Sequence, residues 1–127
     1  MNILEIIAIL AIHWYADFVL QTDEQAKGKS KSWTFLLDHT ITYSILWFLA
    51  SIAYFITYET DLSIALSKAF IFTGITFVAH TITDYYTSRL NSKLWAAGKV
   101  HEFFVSIGFD QLLHFTQLLL TYQLLVN

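Results

Sequence analysis

Residues Thr40–Tyr58 read TITYSILWFLASIAYFITY and contain no ionisable side chain other than tyrosine. Between Ser44 and Ile56 the apolar side chains surround the helix on almost every side, whereas a helix on the surface of a soluble protein keeps one polar face. About 20 such residues form a helix that crosses the roughly 30 Å hydrocarbon core of a membrane. The stretch therefore predicts a transmembrane helix and disfavours a soluble four-helix bundle.

The rest of the chain agrees with this interpretation. Of its 127 residues 56% are apolar and only 13% are charged, whereas soluble domains carry about 25% charged residues. A net charge of −3 without a basic face excludes nucleic-acid binding, and the absence of cysteine excludes disulfides and thiolate metal sites. We predict an all-α polytopic membrane protein, a single domain over residues 1–127 with four antiparallel transmembrane helices at residues 2–21, 35–58, 62–87 and 103–126.

The basic residues predict the orientation of these helices. Six of the seven lie in two connectors, residues 22–34 and 88–102. By the positive-inside rule both connectors face the cytoplasm, so both termini face the opposite side. Within the second connector, residues 89–99 are compatible with a short amphipathic helix on the membrane surface or with a solvated loop.

Ionisable residues interrupt the predicted helices at one level. Three pairs have i, i+4 spacing, which places both members on one helix face: His13 and Asp17, His80 and Asp84, and Asp110 and His114. On the second helix Asp38 and His39 diverge by about 100°, and His39 is predicted to face inward because Tyr43 follows it one turn later. All these residues lie roughly 5–17 Å from the cytoplasmic surface when counted along the helices. Their convergence predicts one shared site in the bundle interior.

An aspartate in hydrocarbon costs on the order of 2.5–3.5 kcal/mol, so the site must be neutralised. One or two divalent metals, zinc, manganese or iron, suit mixed histidine and aspartate ligands. Protonated carboxylates and His–Asp hydrogen bonds would instead form a proton relay, and a third interpretation is that the pairs only hold helices together. In the metal hypothesis the ligands are His13, Asp17, His39, His80, Asp84 and His114, the catalytic base or a further ligand is Asp110, and the supporting residues are Gln21, Tyr43, Gln111 and Gln117.

The sequence leaves three classes of function open. A metal site near the cytoplasmic leaflet favours a metal-dependent hydrolase of a lipid-linked or phosphoester substrate. A proton- or metal-ion-coupled transporter or channel is the alternative, and four helices would then require a homo-oligomer to form a pore. The third class is a small non-enzymatic membrane protein. Glycine-rich phosphate loops, nucleophile elbows and H-E-x-x-H motifs are absent from the sequence.

The segment HWYADFVLQ at residues 13–21, followed by Lys27-Gly28-Lys29, resembles domain-of-unknown-function family 3307, whose members are small bacterial and phage integral-membrane proteins. The family motifs are H-x-x-x-D-F-x-L-Q, a histidine early in the second helix, H-x-x-x-D in the third and D-Q-x-x-H in the fourth. They match His13, Asp17, Phe18, Leu20, Gln21, His39, His80, Asp84, Asp110, Gln111 and His114. The resemblance implies a helical protein of the bacterial inner (cytoplasmic) membrane and names no reaction. A looser similarity to membrane-bound metal-dependent hydrolases concerns general chemistry alone.

Overall fold

The computed structural model describes residues 1–126, and no strand occurs in that part of the chain. Its elements are α1 (Ile3–Trp14), a π-helical turn (Tyr15–Val19), α2 (Asp23–Gly28), α3 (Trp33–Tyr58), α4 (Leu62–Ala96) and α5 (Val100–Val126). The helix α3 packs against α4 and α4 against α5, while α1 contacts α5 and the π-helical turn contacts α3. The protein is therefore a helical bundle in which α4 occupies a central place.

Polar side chains define where the helices begin. Asn2 and Glu5 form a reciprocal capping box at the start of α1, and the Ser32 hydroxyl accepts a hydrogen bond from the second residue of α3. The Asp61 carboxylate caps α4 by accepting from the Ser63 hydroxyl and from backbone amides of the first turn, and these bonds lower the pKa of Asp61. Helix α4 ends before Gly98, whose φ of 69° is favourable for glycine.

Many large apolar side chains are exposed on the outside of the bundle, and many polar side chains are buried within it, in contrast to a soluble protein. On α3 the large apolar residues Ile41, Ile45 and Leu49 are exposed, whereas His39 and Tyr43 are buried. Helices α4 and α5 likewise expose large apolar residues and bury polar ones. An apolar exterior around an interior that holds many polar side chains beside an apolar core is typical of a protein in lipid. Helices α3, α4 and α5 are each long and apolar enough to cross a membrane.

The fold differs from the predicted one in two places. The first predicted span, residues 2–21, contains a 12-residue α-helix that continues into the π-helical turn, so α1 is shorter than the three long helices. The predicted connector 88–102 is largely helical, because α4 continues to Ala96. Between Gly74 and Gly98 the sequence has neither glycine nor proline, so nothing in it stops the helix earlier.

Candidate metal centre

Four side chains from three parts of the fold converge in the bundle interior. His39 comes from α3, His80 and Asp84 lie one turn apart on α4, and Asp17 lies in the π-helical turn. All four are at most 4% exposed. The π-helical turn is closed by the hydrogen bond from the Leu20 amide to the Tyr15 carbonyl, and such turns occur often at functional sites.

One atom from each of these side chains contributes to a compact group, which we call the quartet: Asp17 Oδ1, His39 Nε2, His80 Nε2 and Asp84 Oδ2. His39 Nε2 lies 3.0 Å from the Asp17 atom, 3.2 Å from the His80 atom and 3.3 Å from the Asp84 atom. His80 Nε2 lies 3.5 Å from the Asp17 atom and 3.6 Å from the Asp84 atom. Four atoms define six interatomic distances, the edges of a tetrahedron. Five of these six edges fall between 3.0 and 3.6 Å.

These edges match the ligand geometry of a tetrahedral zinc site. Nitrogen and oxygen ligands bind zinc at about 2.0–2.1 Å, and a regular tetrahedron with that radius has edges of about 3.3–3.4 Å. The ligand set, two imidazole nitrogens and two carboxylate oxygens, is also one that zinc, manganese and iron accept. The residues of the quartet could therefore hold a metal ion without a large rearrangement.

A second group of potential ligands lies beside the quartet and consists of Asp17, Asp110 and His114. His114 Nε2 is 3.1 Å from Asp84 Oδ1 and 3.4 Å from Asp110 Oδ1. Asp84 thus directs one oxygen to the quartet and the other to His114, and Asp17 belongs to both groups. Carboxylates shared in this way are typical of two-metal centres in helical bundles.

Several residues hold the potential ligands in place. The Tyr43 hydroxyl lies 2.7 Å from His13 Nδ1, and the other ring nitrogen of His13 lies 2.9 Å from Gln111 Oε1. The Gln111 amide nitrogen donates to Asp17 Oδ2 and Asp110 Oδ2, each at 3.1 Å. The Nδ1 atom of His13 thus pairs with Tyr43, while its Nε2 atom contacts Gln111 and lies 3.6 Å from Asp17 Oδ2. His13 therefore contacts the cluster without contributing one of the four quartet atoms.

Aromatic contacts fix the orientation of His80. Its ring stacks with the Tyr43 ring at a centroid distance of 3.8 Å and with the His114 ring at 4.2 Å. Tyr43 and His80 are both fully buried, so the imidazole has little freedom to rotate. Its Nε2 atom is held in the direction of the quartet.

One cation contacts the cluster and was not predicted. Lys29, in the segment between α2 and α3, places its Nζ atom 2.8 Å from Asp84 Oδ2. Burial alone lowers the pKa of Lys29, but Asp84 and Asp17 raise this pKa by more, so the ammonium group stays protonated. With ionised carboxylates and neutral imidazoles, the three aspartates exceed this single lysine by two negative charges, which either one divalent cation or two protonated imidazoles would balance.

An open cavity of about 550 Å³ leads from the second ligand group to the surface. Asp17, Asp110 and Lys29 line it, and its wall also contains the aromatic residues Phe18, Trp95, Phe103 and Phe104. Three buried polar atoms of its wall have no hydrogen-bond partner among residues 1–126: Gln21 Oε1, Ser88 Oγ and Asn91 Oδ1. The cavity combines charged, polar and aromatic surface next to the potential ligands.

The model of one protein family matches residues 6–127, and its description is "Protein of unknown function (DUF3307)". The chain belongs to the DUF3307 family. No curated protein and no solved structure matches the chain. The function of this DUF3307 protein is therefore inferred from the geometry of the cluster.

The structure of this DUF3307 protein also places Asp38, Gln21 and Gln117, which the sequence analysis considered. His39 faces the interior and Asp38 is exposed, as the sequence indicated. Gln21 lies in the cavity wall, away from the quartet. Gln117 donates to Thr76 and Thr121 instead of to any cluster residue.

Proposed function

We propose that the protein is a membrane metalloenzyme that hydrolyses a phosphoester bond, with zinc, manganese or iron bound by the quartet. The observation that carries this proposal is the convergence of two imidazole nitrogens and two carboxylate oxygens at tetrahedral spacing. The charge balance is compatible with it, because a divalent cation would offset the excess negative charge of the buried cluster, as two protonated imidazoles also would. If a second metal were bound by Asp17, Asp110 and His114, Asp110 would act as its ligand instead of as the general base.

The positions of the side chains suggest how they act. A bound divalent metal supplies a water molecule whose pKa is lowered towards neutrality. Asp110 is the general base in this proposal, because it lines the cavity while Thr87 and Gln111 hold its two oxygens at 2.6 and 3.1 Å. Water adds to phosphorus, Asp110 accepts its proton, the bond to the leaving oxygen breaks, and that oxygen receives the proton.

The cavity supports a lipid-linked substrate. Three of its four aromatic residues, Trp95, Phe103 and Phe104, lie near the end of α4 and the start of α5, and the cavity is also lined by Lys29, Asp17 and Asp110. An amphiphilic molecule could therefore place its phosphoryl group at the metal and its apolar part along the aromatic wall. We propose that access is from the cytoplasmic leaflet, on the side of the basic connectors.

This function is tested by measuring phosphate release from a lipid phosphoester and from a soluble chromogenic phosphoester, with protein loaded in turn with zinc, manganese or iron. We expect metal-dependent hydrolysis, reduced about 10²–10⁴-fold by Asp110→Asn because a general base is lost. Asp38→Asn is the matched control, since Asp38 is exposed and should retain full activity. Absence of hydrolysis with every metal would contradict the proposal, and an unaffected Asp110→Asn variant would contradict the role of Asp110.

We also propose a single transmembrane domain with four spans in the bacterial inner membrane, both termini outside and the basic connectors in the cytoplasm. Helix α1 and the π-helical turn together cover about 25 Å, and local thinning of the bilayer could accommodate this length. Because the chain lacks cysteine, Thr60→Cys and Ala97→Cys each introduce one exposed thiol. An impermeant maleimide should label the first in intact cells and the second only after permeabilisation. The reverse pattern would contradict this orientation.

A further inference from the structure

Lys29 stands at the junction between the quartet and the cavity. Its ammonium group contacts Asp84 Oδ2, one of the four atoms of the quartet, at 2.8 Å, and its side chain is 18% exposed. The same side chain lines the cavity through which a substrate would reach the cluster. Any group bound to a metal in the quartet would therefore lie next to this ammonium.

The neighbouring wall of the cavity has unused hydrogen-bonding capacity. Ser88 Oγ and Asn91 Oδ1 are buried, line the same cavity and have no hydrogen-bond partner in the described part of the chain. Buried polar atoms are normally paired, so unpaired ones on a cavity wall point to a bound polar ligand. The same cavity thus presents a hydroxyl donor and the positive charge of Lys29.

We propose that Lys29 binds the phosphoryl group of the substrate and makes the site selective for anionic over neutral esters. This inference rests on the proposed function. A metal held by Asp84 Oδ2 would neutralise that carboxylate, and the ammonium would then be free to pair with an anion in the cavity. Lysine is a common phosphate ligand and acts there as a point charge.

Lys31 provides a matched control from the same segment between α2 and α3. Its side chain is exposed, and it does not line the cavity. Lys31→Met removes one positive charge from the same connector without touching the cluster. A general electrostatic effect of the connector would therefore appear in both variants, and a specific role of Lys29 in only one.

The test measures binding of inorganic phosphate to the zinc-loaded protein by calorimetry in detergent, together with zinc content. We expect Lys29→Met to retain zinc and to weaken phosphate binding at least about tenfold, because a charge-assisted hydrogen bond is lost. Lys29→Arg should restore most of the affinity, and Lys31→Met should behave like the wild type. Micelles with phosphatidic acid test the source of the anion, since tighter Lys29-dependent binding than that of inorganic phosphate identifies a lipid.

The outcomes separate this inference from the proposed function. If Lys29→Met binds zinc and phosphate as the wild type does, the inference is wrong while the metal site stands. If zinc is lost only from Lys29→Met, Lys29 is a structural residue and the inference is also wrong. If the wild type itself takes up no zinc, manganese or iron, the proposed function fails first.

Discussion

Tyr43→Phe removes one hydroxyl from the centre of the molecule and leaves the packing intact. That hydroxyl lies 2.7 Å from His13 Nδ1, and the phenyl ring that remains still stacks with His80. His13 is fully buried, so no bulk water replaces the lost partner, and the unpaired nitrogen costs about 1–3 kcal/mol of stability.

The same change should weaken metal binding. His13 contacts Gln111, which donates to both Asp17 and Asp110, so a displaced imidazole disturbs two potential ligands. Loss of such supporting contacts typically lowers metal affinity about 10–100-fold, which corresponds to about 1.4–2.8 kcal/mol. Competition with a chromogenic chelator gives the zinc affinity, and thermal unfolding in detergent gives the stability.

Tyr122→Phe is the control for this experiment. It also removes a tyrosine hydroxyl, which lies 2.7 Å from the Tyr54 hydroxyl in a different part of the bundle. We expect a change in stability and no change in zinc affinity for this variant. Equal zinc affinities of Tyr43→Phe and the wild type, measured on folded protein, would refute the supporting role of the Tyr43–His13 contact.

Three further predictions concern the surroundings of the cluster. Gly28→Ala places a methyl group in steric clash with the Phe35 ring, so it should displace the Lys29 segment and reduce phosphate binding more than zinc binding in the calorimetric assay. Gln111→Leu removes the amide between Asp17 and Asp110 and should lower zinc affinity about 10–100-fold in the chelator competition. Removal of zinc with a chelator should destabilise the wild type by about 2.7 kcal/mol when free zinc had been 100-fold above its dissociation constant.

Each of these predictions has its own control. Gly74→Ala has open space around the new methyl group, so phosphate binding should be unchanged, and an equal effect of both glycine variants would contradict the Gly28 argument. Gln123→Leu changes a glutamine near the end of α5, and a similar loss of zinc affinity there would show that the Gln111 effect is unspecific. The chelator should have no effect on His80→Ala/Asp84→Asn.

The sequence predicted the convergence of the cluster because helical geometry determines it. Spacing of i, i+4 and a common depth place His80 and Asp84 opposite His39, and the angular step of a helix separates His39 from Asp38. The same rules predicted that apolar residues would cover the outside of α3. These features depend on regular helices, for which residue number is a good measure of position.

Features that depend on irregular structure could not be predicted. Nothing in the sequence signals the π-helical turn that presents Asp17, because a π turn results from local packing rather than from one residue type. The sequence places Lys29 among the basic residues of a cytoplasmic connector, yet its flexible side chain reaches Asp84, 55 positions away. The helical extension to Ala96 could have been anticipated from the absence of glycine and proline before Gly98.

The metal content of the purified protein tests the central claim most directly. Elemental analysis requires detergent-purified protein without a histidine tag, beside His80→Ala/Asp84→Asn and the matched variant His101→Ala/Asp38→Asn, in which both replaced residues are exposed. Circular dichroism verifies that all three proteins fold. We predict zinc, manganese or iron in the wild type and the matched variant, and its loss from the cluster variant. Equal absence of metal from all three after attempted reloading would contradict the account and favour neutralisation by protonated histidines.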